Sequence, residues 1–341
     1  MKELDLKRGG GQVLRTATAL AAATGQEVKI KNIRGARPTP GLKEQHLKGV
    51  RGIAKITNGE LKKDKKGSTE IEFKPGKTIK PKVEIDIETA GSIGLILQQF
   101  QILALEKNIE ITVNGGGTHV KWAPPVEYMS KIFLPLMKKY NYKGKIEIEK
   151  EGFYPKGGAK VKARLNGENL KEINIKERGK LKRITGISKA SKQLKRSKVA
   201  ERQKKAAERE LKRKKDNEIE PEIEQKYVES LSPGSGIILK AETDKTIIGA
   251  DQVGERGKPS EEVGMEASEN LREELDSESS VDIHMADQLI PYMGYLDGES
   301  FFKARKITQH MKTNIEITKE LLNTEFIVEE NVVRCLGRNS T

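Results

Sequence analysis

A glycine-rich turn, a helical run and an alternating strand recur along this chain, and that recurrence restricts the fold more than any other feature. Gly9-Gly10-Gly11 opens a run from Gln12 to Thr24, which stops at Gly25 and passes into Glu27-Val28-Lys29-Ile30-Lys31-Asn32-Ile33. Gly91-Ser92-Ile93-Gly94 opens an apolar run to about Leu105, followed by Ile109-Glu110-Ile111-Thr112-Val113. Each unit changes from a helical hydrophobic period to a period of two, so each predicts a helix feeding a strand that is buried on one face. Gln45 to Thr57 and Pro125 to Tyr140 supply further helices, and Lys82–Ile87 and Lys145–Glu149 further alternating strands. After Ser279 the layout returns, with His284 to Tyr295, a strand near Phe301 to Ile307, a helix from Thr313 to Asn323 and the strand Glu325–Glu329. The expected fold class is α/β, with three repeated α/β modules forming the core and a smaller α/β insert domain. The core is then discontinuous, 1–178 and 280–341, and the insert spans 179–279. Within the insert, Lys189 to Lys215 reads as a basic, solvated helix.

Charge points to the partner class. Sixty-four Lys and Arg against 50 Asp and Glu leave a formal net charge of +14, which favours a polyanion such as nucleic acid. A charged surface is also a hyperthermophile habit. The single cysteine, Cys335, excludes an internal disulfide framework and any cysteine-based zinc site, and so predicts a reducing compartment. The segment Met1-Lys2-Glu3-Leu4-Asp5-Leu6 lacks the apolar stretch of a signal peptide, and nothing approaches the ~18 apolar residues of a membrane span. A cytoplasmic protein with no membrane partner is expected.

Several short segments carry chemistry. The turn before Gln12-Val13-Leu14-Arg15 presents a helix N-terminus, where backbone N–H groups receive phosphate. Arg15 opposes the helix dipole there, so its role requires an anionic partner. Arg34 and Arg37 place two guanidinium forks on one loop, with Gln45 and His46 close behind as neutral donors; phosphate binding and structural ion pairing are both open to the arginines. In Gly115-Gly116-Gly117-Thr118-His119-Val120-Lys121-Trp122-Ala123-Pro124-Pro125, the glycines permit close backbone approach, and Trp122 with the prolines offers flat apolar surface to a base. His119, with no carboxylate near it in sequence, reads as a non-catalytic loop histidine, and Gly152 to Gly158 as a turn. Of the four histidines, His284 and His310 sit in polar clusters, and a neutral imidazole is a competent nucleophile near pH 7.

Taken in order, Gly9 to Arg15, Asn32-Ile33-Arg34 with Arg37-Pro38 and Pro40-Gly41-Leu42, Gln45-His46-Leu47, Ala90-Gly91-Ser92-Ile93, Gly116-Gly117-Thr118, Ala123-Pro124-Pro125, Gly152 to Gly158, Ala286-Asp287-Gln288-Leu289 and His310 with Thr313-Asn314 resemble the RNA 3'-terminal phosphate cyclase family, of archaeal type. The resemblance runs over nearly the whole chain and implies the same layout of three modules and an insert. It also implies an ATP-dependent enzyme, assisted by a divalent metal (Mg or Mn), that converts an RNA 3'-phosphate to a 2',3'-cyclic phosphate. His310 would take AMP from ATP, pass it to the RNA end, and the ribose 2'-hydroxyl would then displace it. Pro125 and His284 would sandwich the nucleotide base, Asp287 and Gln288 would complete that pocket, and Gln12, Arg15, Arg34, Arg37 and Gln45 would hold phosphates of ATP or of the RNA. Lys312 and Arg305, if close, would keep His310 neutral. The ligands of the metal are unknown from sequence, because the family's Gly-Glu pair before the glycines is Lys7-Arg8 here and Arg8 cannot bind a cation. The expected partners are RNA 3'-phosphate ends, with a homodimer left open.

Three other readings fit parts of the chain. A non-catalytic relative in ribosomal RNA processing accommodates Arg8 but has no use for His310. An enolpyruvyl transferase shares repeated α/β modules without the His310 segment. A generic basic RNA-binding protein leaves the glycine and proline loops unexplained.

Overall fold

The computed structural model describes residues 1–6, 10–213 and 219–338. Among them, three four-stranded sheets share one connectivity. In the first, β1 (Lys2–Asp5) lies parallel to β2 (Val28–Lys31), which pairs antiparallel with β4 (Ile71–Lys74), and β3 (Glu60–Lys62) closes the far edge against β4. The second repeats this with β5 (Lys82–Ser92), β6 (Ile109–Gly117), β7 (Lys143–Lys150) and β8 (Lys160–Asn166) in the order β5-β6-β8-β7. The short strand β9 (Asn174–Ile175) begins the third sheet. Before that sheet is completed the chain builds another from β10 (Leu181–Ser191), β11 (Glu222–Val228), β12 (Ser235–Thr243) and β13 (Ile247–Val253). It then returns with β14 (Ser300–Lys303), parallel to β9, followed by β15 (Phe326–Glu329) and β16 (Val332–Cys335). The architecture is mixed α/β.

A parallel pair of strands needs a crossover, and helices supply it. Between β1 and β2 runs α1 (Gly11–Thr24), and α2 (Glu44–Thr57) follows β2; α3 (Ile93–Leu103) occupies the place of α1 between β5 and β6. Two short helices, α4 (Val126–Tyr128) and α5 (Leu134–Lys138), replace the single run expected from Pro125 to Tyr140, with a π turn over Met129–Phe133. Pro135 stands just beyond that turn and has no N–H to donate. The basic segment is not one helix. Lys189 to Ser191 end β10, a 3-10 turn covers Lys192–Leu194, and α6 spans only Val199–Leu211. Pairing of β10 with β11 and β12 overrides the helical composition there; Lys214 and Lys215 lie outside the described residues. Next come α7 (Ser260–Asp276), α8 (Ile283–Tyr295) and α9 (Gln309–Leu322). The last begins four residues before the expected Thr313, because Thr308 caps it by accepting the Met311 N–H at 3.0 Å, and His310 therefore lies in a helical first turn.

The helices α1, α2, α3, α8 and α9 pack on one another, so the helical faces of the repeats meet in one interior. That interior is mainly aliphatic, and within it the rings of Phe133, Tyr142 and Tyr292 meet edge-on or tilted. A second, smaller core of Ile184, Leu239, Ile248, Val263, Leu271 and their neighbours lies between the fourth sheet and helices α6 and α7.

Candidate functional site

Because α1 and α9 pack together, residues near opposite ends of the chain share one cleft. It has a volume of about 550 Å³, and its walls include Gln12 and Arg15 of α1, His284 and Asp287 of α8, and His310 of α9. Gln288 lines an adjoining cavity together with Gln12, Arg15 and Asp287. Thr16 donates to Asn314 Oδ1 at 3.1 Å, and Asn314 Nδ2 donates to the Asp287 carbonyl at 2.9 Å, tying the three helices where they face the cleft.

His310 has one anionic neighbour. Its Nδ1 lies 3.5 Å from Asp287 Oδ2, while Asp287 Oδ1 accepts the Thr308 hydroxyl at 2.8 Å. The carboxylate is held by Thr308 and stands beside an imidazole whose side chain is 57% exposed, open enough to meet a substrate. Arg305 is engaged elsewhere: its Nε donates to Glu274 at 3.1 Å and its Nη1 to Glu273 at 2.6 Å. Of the two cations that would act on His310 if close, Arg305 is thus held by Glu273 and Glu274, and the charged group found beside the ring is the Asp287 carboxylate.

Gly10 and Gly11 lead into α1, whose Gln12 and Arg15 line the cleft. Gly10 precedes that helix and offers no side-chain cap, so the first N–H groups have no local acceptor from that position. Gly11 is required by its neighbour, since a Cβ there would stand 2.1 Å from His46 Nε2. His46 is buried, and its Nδ1 accepts the Lys43 N–H at 3.3 Å. Burial, with Arg15, Arg34 and Lys43 adding repulsion, pushes its pKa down to about 3. The ring is neutral, with its proton on Nε2 beside the turn. Burial also lowers Arg15 to about 10, which leaves it a cation at neutral pH, and it has no acceptor among the described residues.

The two loop arginines divide. Arg34 is buried and its Nη1 donates to the carbonyls of Thr39 at 2.8 Å and Gly41 at 3.0 Å, so it holds its own loop together. Arg37 is exposed, with Nη2 3.6 Å from where a Gly10 Cβ would be, and is the one turned to the glycine turn. Gln45 accepts the Ser92 N–H at 3.3 Å, next to Gly91, and joins the start of α2 to the start of α3. Of the two prolines, Pro125 is buried at the N-cap of α4, and Pro124 lines the cleft with His284.

Part of the wall comes from the insert: Asp251 and Gln252 of β13, Glu255 just after it and Asn270 of α7. No sequence signal singled these out, since only the docking of this segment brings them near His284. Burial raises Asp251 to about 6, and its Oδ1 has no partner. Below it, Asp282 caps α8, with Oδ1 accepting Tyr128 OH at 2.6 Å and the N–H groups of His284 and Met285, and Oδ2 accepting the Gly249 N–H at 2.9 Å. The ring of His284 meets Tyr128 edge-on at 5.8 Å.

His119 proves to have a carboxylate neighbour: its Nδ1 lies 3.6 Å from Glu127 in a buried cluster with Glu151 and Lys189. His119, Glu127 and Glu151 form the one trio with metal-ligand spacing among the described residues, but the Lys189 ammonium already pairs with both carboxylates and none of the three lines the cleft. Within the cleft no such trio exists among the described residues. Arg8 lies outside the described residues. No described helix is long and apolar enough to cross a membrane.

Comparison with known proteins matches residues 6–328 to the model of the family described as RNA 3'-terminal phosphate cyclase. Similar curated proteins carry that name. The one from Methanopyrus kandleri is 42% identical over 327 residues, covering 92% of this chain and 90% of its own. That of Thermococcus gammatolerans is 40% identical over 327 residues (95% and 92%), and that of Pyrobaculum aerophilum 42% over 332 residues (96% and 93%).

Proposed function

The chain belongs to the RNA 3'-terminal phosphate cyclase family, and on that footing we propose that it converts RNA 3'-phosphate ends to 2',3'-cyclic phosphates using ATP, with His310 as the nucleophile. The observation that carries the reading is the His310–Asp287 pair, on the wall of a cleft shared with Arg15 and Gln12. Asp287 holds the Nδ1 side of the ring, which leaves Nε2 to attack the α-phosphorus of ATP. As the N–P bond forms, the bond to the bridging oxygen breaks and pyrophosphate departs with the electron pair. The carboxylate offsets the positive charge that the imidazole gains.

Arg15, Arg37 and the N-terminus of α1 would offset phosphate charge, and neutral His46 would donate from Nε2. Gln12 and Gln45 add uncharged donors, and Arg34 keeps the loop that carries Arg37 in place. Pro124 and His284 would flank the base, with Gln288 behind the site. An oxygen of the RNA 3'-phosphate then displaces His310 from AMP, and the ribose 2'-oxygen attacks the RNA phosphorus, expelling AMP. Positioning and charge neutralisation carry most of such a phosphoryl transfer. A divalent cation, when bound, would supply further neutralisation of the triphosphate.

The test is incubation with ATP labelled in the α-phosphate. Acid-labile, base-stable AMP on the folded protein, lost in His310→Ala, is expected. Absence of label on folded wild-type protein would overturn the covalent route. A non-catalytic RNA-binding relative would have no need of a histidine so oriented.

A further inference from the structure

Trp122 is the chain's single tryptophan, and it is 89% exposed. An indole of that size normally contributes to a core or an interface. Its backbone is as unusual as its exposure. Val120 and Ala123 form an isolated antiparallel bridge, with the Ala123 N–H donating to the Val120 carbonyl at 3.3 Å, so Lys121 and Trp122 are the central residues of a tight turn. Trp122 has φ 62°, a left-handed value at the second central position, where glycine or asparagine is ordinarily required. Neither burial nor turn preference selects tryptophan here.

The surroundings are those of a binding platform. Trp122 stands on the wall of the cleft that contains Arg15 and His310. The Lys121 ammonium lies 5.1 Å from the centre of the indole and is itself anchored by Glu255 at 2.8 Å. An exposed aromatic ring with a fixed cation over one side, on the wall of a cleft that also holds Arg15, suits an unpaired base on a phosphate backbone.

We propose that Trp122 is a stacking platform for a base of the RNA strand whose 3' end enters the cleft. The proposal rests on the reading of that end as the substrate. The base belongs to the RNA and not to ATP: on the reading above the base of ATP lies between Pro124 and His284, and the indole of Trp122, 89% exposed, is left for the strand. Stacking there would tolerate any base, because every base has a π face.

With one tryptophan, the full-length protein reports on this site directly. Titration with a 3'-phosphorylated oligoribonucleotide, without ATP, should quench the Trp122 fluorescence to saturation, and an abasic nucleotide near the 3' end should weaken the effect. In Trp122→Ala the KM for RNA should rise on the order of tenfold relative to the KM for ATP, and Trp122→Phe should restore it to within about threefold. Absence of quenching, or a rise in KM for ATP in place of RNA, overturns the proposal. If wild-type protein takes no label from ATP while RNA still quenches the indole, the covalent route fails and the platform stands.

Discussion

Gly11→Ala tests the phosphate turn at its tightest point. The added methyl would stand 2.1 Å from His46 Nε2, 2.8 Å from Cδ2 and 3.0 Å from Cε1, and ordinary contact begins at 3.4 Å, so the imidazole must retreat by about 1.3 Å. His46 is buried and anchored by the Lys43 N–H at 3.3 Å, and that bond cannot survive the movement. Overpacking of this kind costs about 1–3 kcal/mol, and the lost hydrogen bond adds roughly 0.5–1.5 kcal/mol. Alanine returns about 0.4–1 kcal/mol by restricting the unfolded chain, because Gly11 has no left-handed φ. The net loss is about 1–3 kcal/mol, read as a lower midpoint in denaturant. A displacement near 1 Å at a phosphate-binding group should also slow AMP labelling by about a hundredfold. Gly25→Ala is the control: its φ is 69° with no atom within 4 Å of the new methyl, so it should lose about 1 kcal/mol through strain alone and label normally. Labelling and midpoint both unchanged in Gly11→Ala would refute the placement of His46 against the turn and its part in phosphate binding.

The two loop arginines should separate stability from activity. Arg34→Ala strips two carbonyls of a buried donor and should cost about 2–4 kcal/mol, whereas exposed Arg37→Ala should stay within about 0.5 kcal/mol of wild type and raise the KM for ATP or RNA; the opposite pattern in melts and kinetics would reverse their roles. His46 sets a pH dependence. Its folded pKa of about 3 lies below the ordinary histidine value near 6.5, so the unfolded chain binds a proton that the folded chain refuses. The associated stability is whole above pH 6.5 and is lost as pH falls toward 3, at about 1.4 kcal/mol per pH unit. Between pH 7 and 5 the stability difference between wild type and His46→Gln should therefore narrow by roughly 2 kcal/mol, and parallel curves would contradict the burial of a neutral ring.

Helices and strands were legible wherever the hydrophobic period was long. Gln12 to Thr24 falls within one residue of α1. Failures came where a non-local contact outranked composition. Lys189 to Ser191 joined β10 because strands on both sides offered pairing; β1, β3, β4, β8, β9 and β16 also carry no strand expectation, and all but the seven-residue β8 are two to four residues long, too short for a readable period. At the site, Gln12, Arg15, His284, Asp287 and His310 were identified in sequence and share a cleft. The neighbour of His310 was not legible, since Lys312 and Arg305 are closer to it in sequence than Asp287 is, yet Arg305 turns toward Glu273 and Glu274.

By itself, the sequence determined the helical and strand periods, the glycine turns that start the helices, the α/β class and the likeness to a family of RNA-end cyclases. These are local properties: a period of 3.6 or 2 follows from backbone geometry, and a motif needs only adjacent residues. Tertiary structure alone decided that Thr16 meets Asn314 across 298 positions, that Asp287 stands beside His310, that Arg34 serves its loop while Arg37 stays free of it, and that Asp251 lines the cleft. Each of those depends on how packed helices and sheets bring distant side chains together, and docking of that kind leaves no mark in the spacing of the chain.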